Sequence, residues 1–178
     1  MPSYYVYSPF SGYTSSCPVN DSYCVGSPLA CDWNNPNNHP KVYCSVPVDV
    51  IASGGAQSWL FFWGSSNILS VKFTHRTICS GSQGALSVEL FSGLNGVGKV
   101  GEVYYGHLQD LIAEQTVNTS LVNGKRCVTY IARTQPPPGL PCSNVHHAHM
   151  ECCFGAVTEV RCPDSLVEAQ TWIYRWDV

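Results

Sequence analysis

Ten cysteines in a chain of 178 residues constrain the fold more than any other feature. They are Cys17, Cys24, Cys31, Cys44, Cys79, Cys127, Cys142, Cys152, Cys153 and Cys162. An even number of thiols spread along a short chain predicts a disulfide framework, which persists only in an oxidising compartment. The competing use of so many thiols is a zinc–thiolate cluster, but the sequence contains no C-x-x-C pair. The adjacent Cys152 and Cys153 are poorly placed to chelate one ion, because neighbours in a strand face opposite ways. Five bridges admit about 945 pairings, so the spacing leaves the connectivity open. The expectation is a secreted protein with long disulfide-tied loops.

Charge narrows the partners. Charged residues make up 12% of the chain, where an ordinary soluble domain has about 25%. A net charge of −3 excludes the electrostatics of a nucleic-acid binder or a polybasic membrane binder. No apolar run reaches the roughly 18 residues of a membrane span. The opening MPSYYVYSPF has neither the basic stretch nor the apolar core of a secretory leader. Export would therefore use a leader already removed or another route. Two sequons, at Asn20 and Asn118, are compatible with glycosylation of surface loops.

Twelve prolines and fifteen glycines argue against a helical bundle. The chain reads as one domain, 1–178, in three stretches. Residues 1–45 are rich in Cys, Asn and Tyr and predict loops, with a turn-rich segment from Asp32 to Pro40. Residues 46–162 predict a β core, and 163–178 an aromatic C-terminal segment. Runs of β-branched and aromatic residues predict strands near 46–51, 58–63, 67–74, 85–91, 100–105, 127–132, 147–153 and 156–161. Leu86, Val88 and Leu90 alternate onto one face, as do Val71 and Phe73. The run from Trp59 to Trp63 suits a buried strand. Leu108–Glu114 and Asp164–Gln170 each suit a short helix, and Pro136–Gly139 must be a stiff loop. The expected class is all-β, mainly antiparallel, with long loops and one or two short helices.

Histidines and one acid carry the candidate chemistry. His147 and His149 are two apart, so an extended backbone puts both on one face, where two imidazoles can share a zinc ion. His39 and His107 lie in segments able to converge on them, whereas His75 reads as structural. Asp49 sits among valines, where a carboxylate needs a metal, an arginine or backbone donors.

These residues resemble a family. Val103-Tyr104-Tyr105-Gly106-His107-Leu108 is similar to the Y-x-H-L motif of lysostaphin-type zinc metallopeptidases, and His147-Ala148-His149-Met150-Glu151 to their H-x-H motif. Between them, Asn118 to Lys125 resembles the family's valine- and glycine-containing hairpin, and upstream Pro47 to Gly55 resembles its aspartate stretch. The resemblance spans roughly residues 39–153 and keeps the family's motif order. It implies Asp49 and His149 as ligands of one zinc ion, with His107 and His147 polarising water and stabilising the oxyanion. Ser45 stands where the family has its first ligating histidine, and His39 is the alternative third ligand. The extra cysteines look more like the secreted leukocyte cell-derived chemotaxins, a branch that acts as ligands. Two functions follow as expectations. One is a secreted zinc endopeptidase acting on peptide or peptidoglycan; the other is an inactive extracellular module that binds a protein partner or itself. An unrelated lectin-like β-sandwich is the third.

Overall fold

A computed structural model describes residues 1–7, 16–19, 30–34, 57–78, 83–109, 114–134, 147–152, 159–160 and 172–178. The expected strand over 46–51, the loop at Pro136–Gly139 and the helix over 164–170 lie outside these residues. The described residues form thirteen strands: β1 (Ser3–Tyr7), β2 (Ser16–Val19), β3 (Ala30–Asn34), β4 (Gln57–Ser65), β5 (Ser70–Ile78), β6 (Gln83–Phe91), β7 (Lys99–Gln109), β8 (Gln115–Asn118), β9 (Ser120–Val122), β10 (Lys125–Thr134), β11 (His147–Cys152), β12 (Glu159–Val160) and β13 (Trp172–Asp177). The only helical turn among them is a 3-10 turn at Leu94–Gly96. No helix among the described residues is long and apolar enough to cross a membrane.

All pairings among the described strands are antiparallel. The main order is β12-β13-β1-β4-β10-β7-β11-β3-β2, with a branch that runs from β7 through β6 and β5 to β8. Pro18, which has no N–H to give, falls in β2 at the end of this order, where a ladder tolerates it. The chain reverses between β9 and β10 through Asn123-Gly124, both at positive φ (49° and 79°), with Val122 opposite Lys125. That is the two-residue turn whose twist matches its strands.

Alternation explains the core. Val71 and Phe73 on β5, Leu86, Val88 and Leu90 on β6, and Val103 and Tyr105 on β7 are all buried. Their registers place them on one face, as Phe73 opposes Val88 and Val88 opposes Val103. Trp176 of β13 covers β7, since a side chain at Gly101 would meet its indole within 2.8 Å. Tyr4 opposite Trp176 and Val6 opposite Tyr174 complete this layer, all four buried. Each fully buried apolar side chain here contributes roughly 1.5–3 kcal/mol. Phe62 and Trp63, adjacent on β4, are buried at 0% and 5% exposure, so both faces of that strand are covered.

Two expectations are corrected. The N-terminal stretch is not all loop: β1, β2 and β3 lie within residues 1–45, and Asp32, Trp33 and Asn34 belong to β3 rather than to a turn. The helix expected from Leu108 does not begin there, because Leu108 and Gln109 complete β7. Leu108 pairs with Thr134 on one side and Gly84 on the other, and tertiary pairing outweighs a weak helix propensity.

Candidate functional site

Strand β7 is where the ladders branch. On one edge it follows β6 along its length. On the other, Val103 to Gly106 pair with β11, whereas Leu108 and Gln109 pair with β10. The change of partner falls at His107. The first edge is irregular at the same residue, since the register steps from Gly84↔Leu108 to Ala85↔Gly106 and leaves His107 as the extra residue. Such bulges bend a strand, re-aim a side chain and occur preferentially beside active sites.

The histidine pair lies next to this point. His147 and His149 are both in β11, two apart, as the sequence predicts. His149 is opposite Gly106 on one side and Asp32 on the other. His147 is opposite Asn34. The row Asp32–His149–Gly106–Ala85 therefore crosses four strands, beside a second row, Ala30–Glu151–Tyr104–Ser87. The intervening row, Cys31–Met150–Tyr105–Leu86, ends in Tyr105 and Leu86, which are buried in the core. The histidine row thus occupies the face turned away from that core.

That second face holds buried polar chemistry of its own. Glu102 is 7% exposed; the Ser87 hydroxyl donates to its Oε1, and Lys99 Nζ lies 3.4 Å from its Oε2. Lys99 Nζ also lies 4.0 Å from Glu89 Oε1, which places one cation between two facing carboxylates. On the core face, burial pushes the Tyr105 phenol well above its ordinary range. Its hydroxyl has no hydrogen-bond partner among the described residues.

The sequence-derived site residues divide accordingly. His107, His147 and His149 are brought onto two paired strands. Asp49 and His39 lie outside the described residues, as does Ser45. His75 is exposed on β5 opposite Leu86, on the other side of β6 from β7. Among the described residues, no group of three His, Cys, Asp or Glu stands ready to hold a metal ion. Asp32 escapes sequence reading because its neighbours Asn35 to Pro40 look like a turn. The usable signal is the alternation Cys31-Asp32-Trp33-Asn34, apolar against polar with the period of a strand.

No family model, curated protein or solved structure matches this chain.

A separate surface is aromatic. Tyr5 and Trp172 are half-buried, with ring centroids 5.3 Å apart. Lys125 Nζ lies 5.1 Å from the Tyr7 ring centre, and the Arg175 guanidinium 5.8 Å from that of Trp172. Burial, and then the neighbouring Tyr5, raise the Tyr7 phenol pKa.

Proposed function

We propose that this chain is a secreted, lysostaphin-type peptidase-like β domain with a zinc-dependent hydrolytic site at the junction of β7 and β11. The single observation that supports this reading is the antiparallel pairing of the Tyr104-Tyr105-Gly106-His107 strand with the His147-Ala148-His149 strand, joined at Gly106 and His149. Two short motifs about forty residues apart in sequence meet in one ladder, as a shared site requires.

In this reading His149 and Asp49 are zinc ligands, and His39 is a further candidate. When bound, zinc supplies Lewis-acid polarisation of a peptide carbonyl and an acidified water. His147 accepts a proton during attack and returns it to the leaving amine, the task of a neutral imidazole near pH 7. His107, at the bulge, donates a hydrogen bond to the developing oxyanion. A rigid sheet holds these groups in fixed relation. The substrate class is a peptide, with bacterial cell-wall cross-links as the reference. Oxidised cysteines and export complete the proposal.

A second reading is an extracellular binding or assembly module without hydrolysis. The half-buried strip of Tyr5, Tyr7 and Trp172, flanked by two cations, favours it, since such rings stack on sugars or a protein partner. The test is zinc-loaded, purified protein on peptidoglycan and short peptides, beside His147→Ala. The peptidase reading expects hydrolysis that falls by about 10²–10⁴-fold in the variant, with folding unchanged. Full activity in His147→Ala contradicts the catalytic role. No hydrolysis by the parent, together with retention on the cell wall, favours the binding module.

A further inference from the structure

Strand β13 gains one residue against β1: Val6 pairs with Tyr174 but Tyr7 pairs with Trp172, which leaves Ile173 as the extra residue. Tyr174 and Trp176 are buried in the core with Val6 and Tyr4. Strict alternation would send Trp172 the same way. The bulge instead turns it onto the outer face. There its ring centre lies 5.3 Å from that of Tyr5 and 5.8 Å from the Arg175 guanidinium. Lys125 joins this face from β10, its ammonium 5.1 Å from the Tyr7 ring centre and 5.9 Å from that of Trp63. Among the described residues no carboxylate pairs with Lys125, whereas the Arg175 guanidinium lies 3.4 Å from Asp177 Oδ2. We propose that Tyr5, Tyr7, Trp172 and Lys125 form a binding strip for an acidic glycan, whose sugar ring stacks on the aromatic side chains and whose carboxylate or sulfate meets Lys125.

The strip lies across the middle of its sheet. β13, β1 and β4 each have a paired strand on both sides, so a peptide finds no open backbone edge there to extend. Recognition falls to the side chains, and flat rings beside a cation match the C–H face and the acidic group of a charged sugar. The three rings are half-buried, which holds them in place and leaves surface for contact. Charge sharpens the match. The chain has nine Lys and Arg in 178 residues and a net charge of −3, so a polyanion meets few other cations on it. Lys125 is half-buried against two rings, where the attraction to an anion is stronger than in open water.

The inference rests on the reading of the chain as an extracellular binding module and names its ligand class. It is tested on the full oxidised chain with three probes: alginate as a polyuronate, dextran as a neutral glycan and poly-glutamate as an acidic peptide. The parent should bind alginate more tightly than either of the others. Lys125→Gln should weaken alginate binding at least about tenfold, the loss of one charge-assisted contact, and Lys125→Arg should keep it. Trp172→Ala should weaken it as well, and Tyr5→Leu is the second aromatic variant should Trp172→Ala not fold. Lys72→Gln, which removes a cation paired with Glu114 on β5, should change it by less than about twofold, as a distant, screened charge does. Near-ultraviolet dichroism from the buried Trp176 and Tyr174 reports whether each variant is folded. Alginate binding unchanged in Lys125→Gln, or weakened equally by Lys72→Gln, overturns the proposal. Poly-glutamate or dextran bound as tightly as alginate overturns the acidic-glycan class and leaves the binding module standing. A folded parent that holds none of the three overturns the binding-module reading of this face.

Discussion

Tyr105 joins the two faces of β7. Its ring fills the core, its backbone pairs with Met150 of β11, and its hydroxyl is buried without a partner among the described residues. An unsatisfied buried hydroxyl costs about 1–3 kcal/mol, so Tyr105→Phe should leave stability unchanged or raise it. The phenol also links stability to pH. Burial holds it protonated in the fold above the ordinary value of 10.0. The unfolded chain therefore releases that proton at lower pH than the fold does. The contribution is fully present below that value and is lost as pH rises above it. Denaturant melts between about pH 9 and 11 should show stability falling with pH, and Tyr105→Phe should flatten the fall. An identical slope in both proteins would contradict the assigned environment.

At the scale of elements, β7 and β13 are locked by one close approach. A Cβ at Gly101 would sit 2.8–3.1 Å from three indole atoms of Trp176, which is 1% exposed and has no room to withdraw. Gly101→Ala should cost about 1–3 kcal/mol by overpacking, read as a lower denaturant midpoint with an unchanged slope. An unchanged midpoint would show that Trp176 does not seal this face. The same elements explain what was legible. Leu86, Val88 and Leu90 alternate cleanly, so β6 is readable from sequence, and so is β4 from its continuous aromatic run. The strand expected near 147–153 likewise appears, as His147–Cys152. β8 and β9 are only four and three residues long, too short for periodicity, and emerge from pairing alone. Asp32 was hidden because the Asn-Pro run after it resembles a turn, and nothing local records which strand lies opposite. The bulge at His107 is invisible for the same reason: it exists only as a mismatch between the registers of β6 and β7.

For the whole molecule, the organising fact is that β7 serves two tasks at once. Its core-facing residues Val103 and Tyr105 hold the apolar layer, while Glu102, Tyr104 and Gly106 look onto the opposite face, the last two in register with the histidine strand. A buried carboxylate engaged by Ser87 and Lys99 lies on that face four residues along β7 from Gly106, the partner of His149, so burial there serves polar groups and not only packing. In the proposed reading the ten cysteines are oxidised and the sheet supplies the rigidity that a metal-dependent site needs. The central claim is that His149 binds zinc at the seam of β7 and β11. It is tested most directly by diffraction at the zinc absorption edge from crystals of the zinc-loaded protein. The account predicts one anomalous peak about 2.0–2.1 Å from a ring nitrogen of His149. A peak bound only elsewhere, or no peak at full zinc loading, would contradict it.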